Sequence, residues 1–280
     1  MSNLLSTVFT LTSERDSELP FQNARMLQAA FLKWLQQTSP GLTAKLHDKN
    51  RRRPYTISNL DGDFRNDRGR ITLRAGQKIW FRVTGVQAAL NDAVRHAIEE
   101  QQCGPGLARP SLLPDAAHCT AEEHEWAAIS SFGNIIENAQ NALAQLQGLA
   151  PEATLFFRSP TCFFENNQSL PLPVPRFVFG YLLNEWQTNS PHELPLEDIQ
   201  HFVDSIYLAY AKIETRYVHD DRLRRTGFIG TARFAIHPAL PEVYRFCLHL
   251  LAQFAFFSGV GSHTALGMGQ ARFAPSRRRR

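Results

Sequence analysis

Two successive β-α-β-β-α-β units in an α+β chain are the fold this sequence predicts. Three observations carry that expectation. Strand-type and helix-type hydrophobic patterns follow one another in the same order twice. A break near residues 145–150, ending at Pro151, separates the two runs. The length of 280 residues is long for one core and suits two compact domains, expected over 1–147 and 148–280.

In the first run, LLSTVFTLT (4–12) is β-rich and opens the unit as a strand. ARMLQAAFLKWLQQ (24–37) sets Leu27, Phe31, Trp34 and Leu35 at helical spacing, and the SPG at 39–41 ends that helix. PYTIS (54–58) and QKIWFRVTGV (77–86) are β-branched and aromatic, as strands are. AALNDAVRHAIEEQQ (88–102) reads as a second helix, stopped before Gly104-Pro105. A closing strand within 106–130 completes the ferredoxin-like, RRM-like unit.

A helical stretch around 131–150 leads to Pro151, and the pattern restarts. ATLFFRSPTCFF (153–164) reads as a strand, LPLPVP (170–175) as a rigid lead-in and RFVFGYLLNEWQ (176–187) as a helix. SIYLAYAKIETRYV (205–218) and TGFIGTARFAI (226–236) read as strands joined by a turn holding RLRR. PEVYRFCLHLLAQFAFF (241–257) has proline in its first turn and Val243, Phe246, Cys247, Leu250, Leu251 and Phe254 on one face, so it is a helix. MGQARF then closes a second ferredoxin-like unit.

Composition bounds the function. Hydrophobic residues are 43% and charged residues 20%, which makes the chain globular. The net charge of +4 means little when spread evenly, but the cations are clustered. KLHDKNRRR (45–53) holds five cations against one Asp; Arg65, Arg68, Arg70 and Arg74 follow; RLRR occupies 222–225, and Arg277–Arg280 end the chain. Four such clusters point to a polyanion, nucleic acid above all. The four cysteines are scattered, with no CxxC pair and no sign of a disulfide framework. No apolar run reaches membrane-span length and no signal layout opens the chain, so a soluble cytoplasmic protein without membrane partners is expected. His118, Cys119 and His124 are close in sequence, but no fourth ligand recurs at regular spacing, so a chance cluster is expected and no metal site.

SGVGSHTALGMGQARF (258–273) carries Gly259, Gly261, Gly267 and Gly269. A P-loop would need GxxxxGK[ST], and no such lysine is present. The dinucleotide fingerprint would need glycine at 264, where Thr264 stands, and would precede a helix rather than follow one. What remains is a backbone platform against a ligand or domain, or a structural turn.

Four segments carry a family resemblance: LHDKNRRRPYTIS, RSPTCFF followed by LPLPVPRFVFGYLLNEW, RRTGFIGTARF, and GVGSHTALGMGQA after a helix. They resemble, in register, the CRISPR repeat-processing Cas endoribonucleases of the RAMP superfamily, which are built from tandem ferredoxin-like units. The resemblance runs from about residue 20 to 273. It implies metal-independent, cofactor-free cleavage of CRISPR precursor RNA within repeats. In that reaction the 2′-hydroxyl attacks the phosphorus, leaving a 2′,3′-cyclic phosphate (or a 3′-phosphate) and a 5′-hydroxyl. Such chemistry needs a base for the 2′-OH, an acid for the leaving oxygen and a cation for the non-bridging oxygens.

By the same resemblance His47 is the general base or acid, and Arg53 stabilises the transition state. Lys45, Lys49, Arg51, Arg52, Arg222, Arg224 and Arg225 are expected to bind RNA, and the arginine tail to add non-specific affinity. His263, inside the glycine loop, is expected to contact RNA, with a share in acid–base catalysis as the alternative. Some members place a catalytic tyrosine on the first helix; this helix offers Phe31 and Trp34 instead, which leaves the acid unassigned. The expected partners are the repeat RNA, as precursor and mature crRNA, and other Cas proteins of an effector complex, with a homodimer compatible with the sequence. Two other functions stand beside the enzyme. One is a non-cleaving crRNA-repeat binding subunit of an effector complex. The other is a generic RNA-binding ferredoxin-like protein, which would need an RNP strand that GFIGTARF only partly echoes.

Overall fold

The computed structural model describes residues 3–46, 53–145, 150–165, 168–219 and 224–274. It divides into two compact units. Met1–Ser130 and Thr264–Gly267 form the first; Ser131–His263 and Met268–Arg280 form the second.

The first unit runs β1 (Leu4–Ser13), β2 (Ser17–Pro20), α1 (Ala24–Gln36), α2 (Pro40–Leu46), β3 (Tyr55–Ile57), β4 (Arg65–Asp67), β5 (Arg70–Leu73), β6 (Lys78–Gly85), α3 (Ala88–Gln101), β7 (Leu112–His118) and β8 (Ala128–Ser130). Its main sheet has the order β3-β6-β1-β7, with β8 also pairing β1. Every pair is antiparallel, which is the ferredoxin-like arrangement expected. β1 is central and is buried along most of its length, its polar Ser6, Thr7 and Ser13 included. Leu27, Phe31, Trp34 and Leu35 of α1 are all buried, as their spacing requires. Phe9 of β1 meets Trp34 edge-on at 5.5 Å and Phe81 at 5.4 Å, and Phe31 meets Tyr55 at 5.9 Å.

Two parts of this unit depart from the sequence pattern. The SPG at 39–41 does end α1, but Pro40 then starts α2, because proline's fixed φ and missing N–H suit a first helical turn. A small sheet, β2-β5-β4, is separate in its strand pairing but adds Leu19, Ile71 and Leu73 to the same core. Its β4–β5 turn, Arg68-Gly69, has φ of 47° and 80°, the left-handed pair of a tight hairpin.

The second unit runs α4 (Phe132–Gln145), β9 (Glu152–Thr161), β10 (Phe163–Glu165), β11 (Gln168–Leu170), α5 (Pro175–Asn189), α6 (Ile199–Asp204), β12 (Tyr207–His219), β13 (Arg224–Ala235), α7 (Glu242–Ser258) and β14 (Ala271–Ala274). Its sheet order, β12-β13-β9-β14, repeats the ferredoxin-like topology. The helix before the Pro151 break, α4, belongs to this unit. Its Phe132 packs edge-on against Trp186 of α5 at 5.1 Å, and Trp186 meets Phe254 of α7 at 5.3 Å. α7 is buried on more than the face its spacing marks: Leu248, His249, Ala252 and Ala255 are buried too.

His249 has a measurable consequence. Its Nε2–H donates to the Ala150 carbonyl at 2.8 Å, and burial holds the ring below the usual histidine value despite that bond. Burial also lowers His124, reinforced by the charge of His118. The unfolded chain therefore binds protons near the ordinary value of 6.5 before these rings do. Stability is full above that pH and falls as pH drops below it, until the folded rings protonate. The expected result is a lower thermal midpoint at pH 5.5 than at pH 7.5, with a smaller drop in His249→Gln. Equal drops in the two proteins would exclude His249 as a cause.

Candidate nucleic-acid interface

His47, Lys49, Arg51, Arg52 and Arg222, with the arginine tail, lie outside the described residues. The chain on either side of the His47 segment is held by the first unit. On one side Leu46 ends α2 in the hydrophobic core, with Lys45 exposed beside it. On the other, exposed Arg53 precedes β3, whose Tyr55, Thr56 and Ile57 are buried. Tyr55 does not supply the tyrosine that α1 lacks. It is 2% exposed and its hydroxyl accepts from Gln28 Nε2 at 3.2 Å. Burial raises its phenol above the ordinary value, against the charge of Arg53.

Two of the residues picked for RNA, Arg225 and His263, meet an unexpected partner, Phe164 of β10. The Arg225 guanidinium lies over the Phe164 ring, 4.9 Å from its centroid. The His263 ring meets it edge-on at 5.8 Å. Arg224 is exposed next door, at the start of β13. Neither Arg224 nor Arg225 is paired with a carboxylate among the described residues, whereas Arg176 binds Glu165 at 2.7 Å and Arg233 binds Glu152 at 3.3 Å. Cations left without carboxylates, next to an exposed ring, are the chemistry that takes phosphate and base together. Phe164 was missed because its signal is weak: in CFFE, Phe163 and Phe164 look alike, and only strand alternation separates the buried ring from the exposed one.

The glycine loop is built into the fold. Gly259, Gly261, Gly267 and Gly269 all have left-handed φ, between 66° and 86°, and all are buried. In the second unit, Gly259 N–H caps α7 on Ala255, Val260 N–H donates to Gly269 and Ser262 N–H donates to Cys162. A Cβ at Gly261 would stand 2.6 Å from the Cys162 carbonyl oxygen. His263 follows at φ 60°, an uncommon backbone for histidine. The next four residues, Thr264–Gly267, belong to the first unit. There Gly267 N–H donates to Ile57 at 3.0 Å and Gln28 Nε2–H donates to Ala265 at 3.1 Å. Gly261 and Gly267 stand where the loop's backbone packs closely on other parts of the chain.

The cations of 65–74 are exposed and lie among carboxylates. β2 brings Glu18 onto Arg70 at 3.2 Å, and Asp16 accepts from the Ala75 amide at 2.8 Å. A groove of about 1060 Å³ here is lined by Asp63 and Asp67 as well as Arg65, Arg74 and Lys78. His118 and His124 stack at 6.3 Å, while Cys119 shares a hydrogen bond with Thr7. No metal-holding group of three or more His, Cys, Asp or Glu occurs among the described residues. Nor, among them, is any helix long and apolar enough to cross a membrane.

Two ferredoxin-like units in tandem are the fold this chain shares with known proteins. The chain superposes on an RAMP protein that binds different RNA substrates with a TM-score of 0.58 at 13% identity, covering 96% of this chain and 99% of that one. A narrower class follows from sequence and shape together. Residues 155–271 match the family of the CRISPR-associated endoribonuclease Cas6. The product complex of Cas6 TTHB231 is similar at a TM-score of 0.76 and 25% identity, over 97% of this chain and 100% of that one. Thermus thermophilus Cas6 (TTHB231) is similar at 0.74 and 24%, over 98% and 99%. A Cas6-related protein from Pyrococcus furiosus keeps the fold at 0.62 with 11% identity, over 98% and 100%. No curated protein matches the chain in sequence. The Cas6 family match is confined to residues 155–271, and the likeness to the Cas6 product complex extends over 97% of the chain. Three of the four resembling segments fall within 155–271 or overlap it; LHDKNRRRPYTIS lies before it.

Proposed function

We propose that the chain is a metal-independent endoribonuclease that cleaves CRISPR precursor RNA within its repeats. The observation that carries the reading is the likeness to a Cas6 product complex across 97% of the chain, joined to the Cas6 family match. The 2′-hydroxyl before the scissile bond attacks the phosphorus, giving a 2′,3′-cyclic phosphate and a 5′-hydroxyl. The nucleophile resides in the substrate, so the protein's tasks are proton transfer, charge stabilisation and alignment. His47 takes or gives the proton, and Arg53 stabilises the non-bridging oxygens. The other cations of 45–52, with Arg222, Arg224 and Arg225, bind the phosphate backbone. The chain works with other Cas proteins, which receive or retain the crRNA.

The experiment is a cleavage assay in EDTA, using the CRISPR repeat RNA of the same genome and a copy with a single 2′-deoxy at the nucleotide before the cut. The normal RNA is expected to be cut and the 2′-deoxy RNA left whole, since deoxyribose lacks the attacking group. Binding without cleavage of either RNA would favour a non-cleaving crRNA-binding subunit. One observation favours that second reading: α1 has no tyrosine, and the nearby Tyr55 hydroxyl is buried on Gln28. Cleavage of the 2′-deoxy RNA would overturn the proposed chemistry.

A further inference from the structure

We propose that Phe164 is a stacking platform for one unpaired base of the bound RNA. The inference rests on the RNA-binding reading above and adds a single recognition contact to it. Phe164 sits on β10, and its cross-strand neighbour is Ser169 of β11. That neighbour is too small to cover a phenyl ring, and the ring remains 38% exposed. The preceding Phe163 points the other way, is 5% exposed and stacks on Phe177 at 5.7 Å. Burial therefore accounts for Phe163 and leaves Phe164 unexplained.

Two polar contacts hold the hairpin that carries the ring. The Ser169 hydroxyl donates to the Thr226 carbonyl at 3.0 Å, which ties the hairpin to β13. Glu165, next to Phe164, is clamped by Arg176. Arg225 covers the ring as a cation and His263 meets it at its edge, so neither supplies the flat stacked partner that an aromatic face takes best. A nucleobase does, and the adjacent guanidinium then reaches its phosphate. An apolar protein partner would have to cover Arg224 and Arg225, which have no carboxylate among the described residues. The charge around the ring favours RNA.

The test compares the full-length wild type with Phe164→Ala, Phe164→Leu and Phe164→Tyr. The probe is the repeat RNA carrying 2-aminopurine at each unpaired position in turn. Stacking on an aromatic ring is worth about 5- to 150-fold in affinity per base. Roughly tenfold weaker binding is expected for the Ala and Leu variants, with 2-aminopurine fluorescence changed at one position only. The Tyr variant is expected to bind like wild type. The thermal midpoint should barely move, since the ring is exposed. Wild-type affinity and fluorescence in Phe164→Ala would overturn the proposal, and wild-type binding by Phe164→Leu would reduce the residue to packing and overturn it too. Failure of the wild type itself to bind the RNA would instead bring down the RNA-binding reading on which the proposal stands.

Discussion

Replacing His47 by alanine is expected to slow cleavage of the repeat RNA by a hundredfold or more while leaving its affinity within a few-fold. The size follows from the role. A positioned acid or base contributes about 10²–10⁴-fold, because histidine near neutrality holds the proton loosely enough to move it in the transition state. The small effect on binding follows from the charge pattern. Lys45, Lys49, Arg51, Arg52 and Arg53 surround position 47 in the sequence, and under the proposed function these five cations are expected to hold phosphate with or without the imidazole. The two effects separate a catalytic role from an electrostatic one. A histidine that merely joined the basic segment would cost affinity and rate together, and less of each than a lost lysine. The measurement is single-turnover cleavage at saturating protein beside equilibrium binding of the 2′-deoxy RNA. Partial rescue of the alanine variant by free imidazole is expected if the ring transfers protons. A variant that cuts at the wild-type rate would remove His47 from the mechanism. Arg53→Ala is expected to lower the rate as well, and to weaken binding, since a guanidinium on the phosphate acts in both states.

The parts of the fold visible in the sequence are those whose side chains are sorted locally. α1 keeps Leu27, Phe31, Trp34 and Leu35 on its buried face, and the Leu, Val and Phe of β1 with its β-branched threonines mark a strand. The parts that were hidden depend on chain far away. β5 is four residues long, with only Ile71 and Leu73 buried, too short a pattern to read alone. Its pairing with β2 also neutralises one cation of the 65–74 cluster, since Glu18 reaches Arg70 from 52 residues away. The candidate interface shows the same limit. Arg224, Arg225 and His263 were legible as cations and a loop histidine, but the ring that meets Arg225 and His263, Phe164, is chosen by strand alternation in a three-residue hairpin strand. The glycine density was legible as close backbone approach. What the backbone approaches was not, because Gly261 lies on Cys162 and Gly267 on Asn59, each a distant part of the chain.

That last contact sets the other large effect. Gly267→Ala is expected to destabilise the first unit by about 2–5 kcal/mol, where Gly69→Ala costs only about 1–2. Both glycines have left-handed φ, 86° and 80°, so both substitutions carry the same backbone penalty. They differ in what the new methyl meets. At Gly69 nothing lies within 4 Å. At Gly267 the methyl would stand 2.5 Å from Asn59 Nδ2 and 2.9 Å from the Ala24 Cβ. Neither neighbour can give way cheaply. Ala24 is the first residue of α1, and Asn59 Oδ1 accepts from the Asn23 and Ala24 amides at 2.9 Å, satisfying donors that the helix itself leaves open. Moving Asn59 aside would uncap α1, whose aromatic face is the core of the unit. Thermal unfolding of the two variants measures the difference, and equal losses would show that the space around Asn59 relaxes. Because Gly267 is buried against this cap, its substitution should lower RNA affinity only through the unfolded fraction. A folded Gly267→Ala protein with weakened RNA binding would mean that the loop also meets the RNA.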